Sequence, residues 1–311
     1  MSGAGVHPLV AVAVVGGLLT VGVYLVAVLD GAFGSVIAGR AVRPGALLAG
    51  PARRAALLAL SSPGDTERPD AQAWALAPAL LAGLAAVALA TVPLSPTLSI
   101  VDPSTGFVVF SAAIAFVMIA VFLHGWSPNA PWPLHGAYRY AAQALSFQIP
   151  FLLAMLATTL PAESLQIGEI VRAQEPLWNV VRQPLGLPLY LVVGVGVSFW
   201  GPLNLSDAAD LAGGTTAEAG GVHALLWQIA RAAMLVAVAA MGAAAFLGGW
   251  WGPWQPGLGW MIAKTVLLLA LLVSSRHLIA RVRLERFVIV CWVALIPLAL
   301  VNIFVSGAWL L

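Results

Sequence analysis

The chain has 311 residues, of which 61% are hydrophobic and 8% are charged, and its formal net charge is +2. Soluble domains carry about 25% charged residues, so this composition excludes an ordinary soluble protein and indicates an integral membrane protein. The basic residues form no tract, which excludes a nucleic-acid partner. The single cysteine, Cys291, excludes an internal disulfide and an iron–sulfur cluster held by this chain alone.

Apolar segments recur along the chain at the length that a bilayer requires, which is roughly 20 residues for a helix. The N-terminus has no basic region before its first apolar segment, so that segment is predicted to be a retained span and not a cleaved signal. The sequence predicts an all-α integral membrane protein, one domain over residues 1–311. Its eight spans are expected at 8–30, 71–94, 105–125, 138–160, 186–201, 222–248, 257–277 and 287–310.

The segment 34–62 follows the first span and is too interrupted by glycine and proline to cross the membrane. Its mixture of arginine and leucine is typical of an amphipathic helix that lies along the membrane surface. A loop that sets the topology by binding anionic lipid is the alternative interpretation.

Two loops hold most of the arginines, one after the first span and one after the seventh. With eight spans, both loops fall on the same side, and the positive-inside rule assigns that side to the cytoplasm. The protein is therefore predicted to be a multi-pass protein of the plasma (inner) membrane with both termini outside. These loops are also the candidate docking surface for a partner, through Arg40, Arg43, Arg53, Arg54, Arg281, Arg283 and Arg286.

Few ionisable residues lie within the predicted spans, where a charge is costly. Asp30 ends the first span, Arg139 opens the fourth and Lys264 lies within the seventh, and we expect all three to extend to the interface. Arg231 lies deeper in the sixth span, so it is predicted to pair with an acid of the loop before it, and the pair should lower the pKa of that acid. The alternative is that Arg231 extends to the cytoplasmic interface and the loop is solvated. No span has an Asp or Glu near its middle, which argues against a proton relay through this chain.

The loop that precedes this span, "LNLSDAADLAGGTTAEAGG" at 203–221, is acidic and glycine-rich. Asp207, Asp210 and Glu218 occur in it without a Lys or Arg. The pattern indicates a role other than topology, because it opposes the positive charge of the neighbouring loops. No metal-ligand cluster, nucleophile–base pair or phosphate-binding loop is visible anywhere in the sequence, so no catalytic or metal site is predicted for this chain alone.

Five stretches, in order along nearly the whole chain, resemble one family. That family is the H-type membrane subunit, which forms the quinone chamber, of respiratory complex I (NADH–quinone oxidoreductase) and its hydrogenase relatives. The stretches are "GWSPNAPWPLHGAYRYAAQALSFQIP" (125–150), "EIVRAQ" (169–174), "QPLGLPLYLV" (183–192), "FLGGW" (246–250) and "RHLIARVRLERFVIVCWVALIPLALVN" (276–302).

The resemblance implies a subunit that is not catalytic alone. It would help to form the quinone chamber and to couple quinone reduction to proton translocation. Quinone would be the substrate of the complex. Iron–sulfur clusters and any flavin would belong to partner subunits, one of which, a peripheral iron–sulfur subunit, would dock on the arginine loops. The residues implied at the cavity are Asp207, Asp210, Glu218, Arg231, Arg139, Gln148 and Glu169.

The sequence departs from the family pattern at several acidic positions. Gln148 stands where the family helix has Glu, Ala209 replaces an acid of the loop, and Ala230 lies where a Glu is usual in the sixth span. A Gln side chain binds no proton, so proton conduction is the least secure implication. Two other functions stay open: a structural anchor of a variant redox complex that has lost coupling, and a secondary transporter, although the repeats and paired broken helices of transporters are absent.

Overall fold

The structure is a computed structural model that describes residues 7–41, 43–62 and 68–308. This part of the chain folds into helices and contains no β-strand. In chain order, the helices are α1 (Pro8–Ile37), α2 (Pro44–Ala59), α3 (Ala71–Ala90), α4 (Gly106–Trp126), α5 (Pro131–Thr159), α6 (Ile167–Arg172), α7 (Asn179–Arg182), α8 (Gly186–Val197), α9 (Gly221–Phe246), α10 (Leu258–Leu278) and α11 (Leu284–Ala308).

Seven of these helices, α1, α3, α4, α5, α9, α10 and α11, are long and apolar enough to cross a membrane. The predicted class, an all-α membrane protein with about eight spans, is confirmed. The remaining predicted span, 186–201, contains α8, which has 12 residues and is therefore only about 18 Å long. A bilayer core is about 30 Å thick, so α8 alone is too short to cross it. The predicted span continues after α8 as irregular backbone from Ser198.

Several predicted boundaries differ from the helices that form. The first helix continues past Asp30 to Ile37, and the Asp30 carboxylate pairs with Arg276. The fourth predicted span begins seven residues early, at Pro131, where proline occupies the first turn of α5 and its fixed φ favours helix initiation. The last helix contains a π-helical turn, Cys291–Leu295. Residues 309 and 310, the predicted end of that span, lie outside the described residues.

Helix α9 is the centre of the bundle. It packs against α1, α3, α8 and α10, and its second half consists largely of alanine and other small residues. Small side chains let neighbouring helices approach closely within a membrane. A Cβ on Gly242, for example, would lie 2.9 Å from the Tyr190 ring, so the contact between α8 and α9 depends on that glycine.

Lys264 of α10 closes the C-terminal end of α9. Its Nζ donates hydrogen bonds to the carbonyls of Leu247, Gly249 (3.1 Å) and Trp251, and it lies 3.9 Å from the centre of the Trp178 ring. The C-terminus of a helix stabilises a cation through its carbonyl oxygens and its dipole. The Lys264 side chain is therefore buried, and it has a structural role at this end of α9.

The bundle has two ends, which we call the loop face and the opposite face. The loop face carries α2, the loop 198–220 and the segment 279–283, and the opposite face carries α6, α7 and residues 247–257. Helix α2 packs on α1 and α9, with Arg54 Nη2 3.3 Å from the carbonyl oxygen of Ala27. A helix thus forms within 34–62, as predicted, and it rests on the bundle.

Labelling of single cysteines tests the assignment of the two ends. Ser62, before α3, and Ser104, before α4, are exposed and lie at opposite ends of the bundle. We expect cysteines introduced at these positions, in a Cys291→Ala background, to react with an impermeant thiol reagent from opposite sides of the membrane. Cys291 is the single cysteine of the chain, so in this background the introduced cysteine is the only thiol. Reaction of both cysteines from one side would contradict the helix order.

Candidate functional site

The loop 198–220 enters the bundle instead of lying over it. The backbone turns at Phe199 and Gly201, which both adopt positive φ angles (36° and 50°). Tyr140 of α5 donates a hydrogen bond to the Val197 carbonyl at 2.8 Å. Gln143, also of α5, donates to the carbonyls of Gly196 (3.2 Å) and Leu203 (3.0 Å). Tyr140 thus satisfies the carbonyl of Val197, the last residue of α8, and Gln143 connects the end of α8 to Leu203 of the loop.

The second half of this loop packs directly on the start of α5. The Thr215 amide donates to the Ser206 carbonyl at 3.1 Å, which closes the loop into a compact turn. A Cβ on Gly136 would lie 2.5 Å from that Ser206 oxygen. The missing side chain at position 136 therefore allows the loop to approach α5, and it fixes the position of Asp207 next to Ser206.

A Gly136→Ala variant should displace the loop and destabilise the chain by about 1–3 kcal/mol, the usual cost of overpacking. The matched control is Gly83→Ala in α3, because a Cβ there meets nothing within 4 Å. The measurement is thermal unfolding of the two purified variants in the same lipid or detergent. Equal stability of both variants would contradict the close packing of the loop on α5.

Asp207 is a buried carboxylate with several partners. Its Oδ1 accepts hydrogen bonds from Thr215 Oγ1 at 2.6 Å and Ser206 Oγ at 3.1 Å. Its Oδ2 lies 3.3 Å from Arg231 Nη1. With its amide nitrogen turned toward the acceptors, Asn204 also donates to Oδ2 at 3.2 Å. The structure therefore contains the pair between Arg231 and a loop acid that the sequence predicts, and it selects Asp207 from the three acids.

Arg231 lies among aromatic rings as well as beside its carboxylate. Its Cζ is 4.9 Å from the centre of the Phe199 ring and 5.0 Å from that of Trp200. Trp200 also contacts Arg276 of α10, whose Cζ lies 5.5 Å from the centre of the ring. Cations at these distances are attracted by the face of an aromatic ring. Asp207, Arg231 and the two rings thus form one charged and aromatic cluster at the loop face.

Asp30 of α1 extends the cluster. Its carboxylate pairs with Arg276 Nη1 at 3.1 Å and with His277 Nε2 at 2.9 Å. Both partners belong to the last turn of α10, so the pairs connect the first and tenth helices. Asp30 is largely buried, and its carboxylate is held by these two partners.

Burial raises the pKa of Asp207 above its ordinary value, although Arg231 and the hydroxyls of Thr215 and Ser206 act to lower it. The sequence led us to expect the opposite result, a pKa lowered by the ion pair. Desolvation is the larger effect, because the loop encloses this carboxylate within the bundle. Asp207 is consequently easier to protonate than an exposed Asp.

Asp210 and Arg139 form a second, more exposed pair. Asp210 Oδ2 lies 2.7 Å from Arg139 Nη2, with 61% and 32% of the two side chains exposed. The hydrogen bond from Arg139 lowers the pKa of Asp210. Water screens such a pair, so its contribution to stability is small. The third loop acid, Glu218, is half-buried near the start of α9.

Two of the residues predicted at the cavity lie away from this cluster. Glu169 is in α6 on the opposite face, where it pairs with Arg172. Gln148 is half-buried in α5, more than one helical turn beyond Gln143. The structure therefore brings together Asp207 and Arg231, and it pairs Asp210 of the same loop with Arg139 of α5. It leaves Glu169 and Gln148 apart.

The arginines predicted for docking are all exposed and all lie at the loop face. The segment 279–283 reaches the base of the loop, where the Val282 amide donates to the Pro202 carbonyl at 3.0 Å. Among the described residues, no group of three or more His, Cys, Asp or Glu side chains could hold a metal ion.

Sequence reasoning missed a set of aromatic and histidine rings beside this cluster. His124 of α4 stacks on Trp227 of α9 at 3.7 Å, and Trp74 of α3 stacks on His223 of α9 at 3.7 Å. These residues are widely separated in sequence and belong to three helices. The sequence signal that could have indicated them was His223 and Trp227, one turn apart on the helix that carries Arg231.

Comparison with known proteins agrees with this architecture. Residues 17–307 match the NADH dehydrogenase family. The chain is also 32% identical over 239 residues to a protein of Rhodopseudomonas palustris (strain BisA53) named as an H-type subunit, number 1, of NADH-quinone oxidoreductase, and this alignment covers 76% of this chain and 75% of the relative. The match spans the helices, the entering loop and the arginine segments described above, and the chain therefore belongs to the NADH dehydrogenase family of H-type membrane subunits.

Proposed function

We propose that this chain is the membrane subunit of an NADH-quinone oxidoreductase that forms part of the wall of the quinone chamber. The single observation that supports this role best is the cluster of Asp207, Arg231, Phe199 and Trp200, which an irregular loop encloses within the bundle. Irregular backbone at this depth is tolerated where it is buried in protein or lines a cavity. The reaction is inferred from family membership, and the cluster is proposed as a polar part of the chamber wall.

The chemistry of the cluster suits a quinone headgroup, which is a planar ring with two carbonyl acceptors. Arg231 offers hydrogen-bond donors, and the buried rings of Phe199 and Trp200 make its surroundings apolar. Arg231 Nε is buried and has no acceptor among the described residues, so a donor remains free after the pair with Asp207 has formed. An unused buried donor is costly, and a quinone carbonyl would satisfy it.

Within this proposal, Asp207 is the loop acid that can exchange a proton as quinone is reduced. Its raised pKa brings the neutral form closer to physiological pH. Asp210 is held ionised by Arg139 and would act as a fixed charge at the edge of the site. Through this exchange the chain would help to couple quinone reduction to proton translocation by the complex.

The loop face would carry the partner subunits. Exposed arginines of α2 and of the segment after α10 lie around the acidic loop there. The arginines and the loop acids together offer both signs of charge to a peripheral subunit that contains iron–sulfur clusters and any flavin. The positive-inside rule places this face in the cytoplasm and both termini outside, in a plasma membrane.

The experiment is affinity purification of the tagged chain under gentle detergent. We expect wild type to recover iron–sulfur subunits, and we expect the combined variant Arg281→Gln, Arg283→Gln and Arg286→Gln to recover much less of them. The matched control is Arg172→Gln, an arginine on the opposite face, which should leave recovery unchanged.

Recovery of wild type only as a monomer or homodimer would count against the proposed role and in favour of a transporter. Normal assembly together with quinone reduction that does not respond to changes at Arg231 would support the structural anchor instead.

A further inference from the structure

His124 and His223, which the proposed function does not use, meet between two tryptophans. The His124 ring lies between Trp227 (3.7 Å between ring centroids) and Trp74 (4.9 Å), and His223 lies 3.7 Å from Trp74. The four rings are nearly parallel, with angles of 7° to 19° in each measured pair.

These distances fix how the two imidazoles are arranged. Imidazoles on opposite faces of the Trp74 indole would be separated by two stacking layers, roughly 7 Å in all. Their centroids are 5.2 Å apart, so both lie on the same face of Trp74, side by side. Trp227 covers the other face of His124, which leaves only the edges of that ring accessible.

The edges of His124 require a hydrogen-bonding partner. The residue is fully buried, and neither ring nitrogen forms a hydrogen bond with the rest of the described chain. A neutral imidazole always has one N–H donor and one acceptor nitrogen, and leaving such groups unsatisfied in a buried site costs about 1–3 kcal/mol. The backbone of Thr215 is close to the ring, but it does not satisfy the hydrogen-bond geometry.

The neighbouring imidazole can provide that partner. Two imidazole edges that face each other at this separation leave about 3 Å between ring nitrogens, which is the length of a hydrogen bond. Rotation about the last side-chain bond of a histidine is soft, so a small ring rotation brings the nitrogens into line.

We propose that His124 and His223 form a proton-binding site that holds one proton between their facing edges. The first proton forms an N–H···N bond and spreads its charge over two rings, between indole faces that attract cations. A second proton would place two cations side by side in a desolvated site, which opposes its binding. The pair therefore binds and releases a single proton.

The three helices that carry the four rings contribute few charged residues of their own. Helix α4 has no Asp, Glu, Lys or Arg, and α3 has none after Asp70, which caps its N-terminus. Helix α9 contributes Arg231, which pairs with Asp207 of the loop. Charged groups of neighbouring elements at this end include Arg53 and Arg54 of α2, which packs on α9, Arg139 of α5 with Asp210, and Glu218 of the loop.

The pair is nevertheless connected to the charged cluster by ring contacts. Trp227, which covers His124, lies 5.6 Å from the Phe199 ring, and Phe199 carries the guanidinium of Arg231 on its face. A proton bound by the histidines is thus separated from the Arg231–Asp207 pair by two aromatic rings. The site goes beyond the proposed quinone role and does not depend on it.

Nuclear magnetic resonance of the full chain, labelled with ¹⁵N-histidine and placed in lipid bilayers, tests the proposal. Over a titration from about pH 4 to pH 9, which brackets the ordinary histidine range, the signals of His124 and His223 should shift together in one single-proton step. A nitrogen–nitrogen coupling across the shared hydrogen bond should be present in wild type. The chain has five histidines, so the spectrum is simple enough to assign.

The variants separate this proposal from a purely structural stack. His223→Phe keeps a flat ring against Trp74 and should abolish both the coupling and the joint step at His124. The exposed His135 provides the control, since His135→Phe should change neither. Independent titration of His124 and His223, or absence of the coupling at every pH, would overturn the proposal. The wild-type spectrum decides this even where a variant fails to fold.

Discussion

Arg231→Met is expected to destabilise the chain by about 3–5 kcal/mol, which is the usual cost of removing one partner from a buried ion pair. Only 14% of the Arg231 side chain and 6% of the Asp207 side chain are exposed, so water cannot replace the lost counter-ion. The measurement is thermal or denaturant unfolding of the purified chain, together with quinone-linked activity of the assembled complex.

A double variant separates stability from function. In Arg231→Met with Asp207→Asn, no buried charge lacks its counter-ion, and the amide keeps contact with Thr215 and Ser206, so most of the lost stability should return. If the pair forms part of the quinone site, quinone reduction should stay low in the double variant. Arg231→Lys, which keeps the charge but not the planar fork, should retain part of the activity.

The matched control for this experiment is Arg276→Met. Arg276 is half exposed and pairs with Asp30, so its loss should cost less, about 0–1 kcal/mol as for exposed pairs. Equal destabilisation by Arg231→Met and Arg276→Met would contradict the buried character of the first pair. Full quinone-linked activity in the stable double variant would end the assignment of the pair to the quinone site.

The second large effect concerns pH and Asp207. Because burial raises the pKa of this carboxyl, the folded chain binds a proton more tightly than the unfolded chain. Its contribution to the free energy of unfolding is therefore most favourable at acidic pH and decreases as the pH rises from the ordinary Asp value through the raised folded value. The contribution of Asp210 to the free energy of unfolding depends on pH in the opposite direction. Its pKa is lowered, so its smaller contribution is lost on acidification.

Removal of the cation should strengthen the effect at Asp207. Arg231 acts to lower the pKa of Asp207, so in Arg231→Met the protonated carboxyl should persist to higher pH than in wild type. Infrared difference spectroscopy measures the carbonyl stretch of the protonated acid, and Asp207→Asn identifies the band by its loss. A band in Arg231→Met that disappears at the same pH as in wild type, or at a lower one, would show that the cation does not control this group.

The class of the protein, the order of its helices and its family could all be predicted from the amino-acid sequence. Hydropathy is a local property summed along a segment, so the seven long helices follow from composition alone, with errors only at their ends. The arginine loops and the acidic loop were also visible, because charge stands out where it is rare. The five stretches in register covered enough of the chain to indicate the H-type membrane subunit, and the family match confirmed it.

Which of these groups meet depends on the three-dimensional packing of the bundle. Asp207 and Arg231 are 24 residues apart and come together because the loop enters the bundle where α8 ends early. Lys264 binds carbonyls of residues 13 to 17 positions away, and the His124–His223 arrangement requires α3, α4 and α9 to converge. Such contacts depend on long-range packing and on the balance between desolvation and charge pairing. A sequence pattern shows neither the packing nor the extent of desolvation. For the same reason, the direction of the Asp207 pKa shift was predicted wrongly from the sequence.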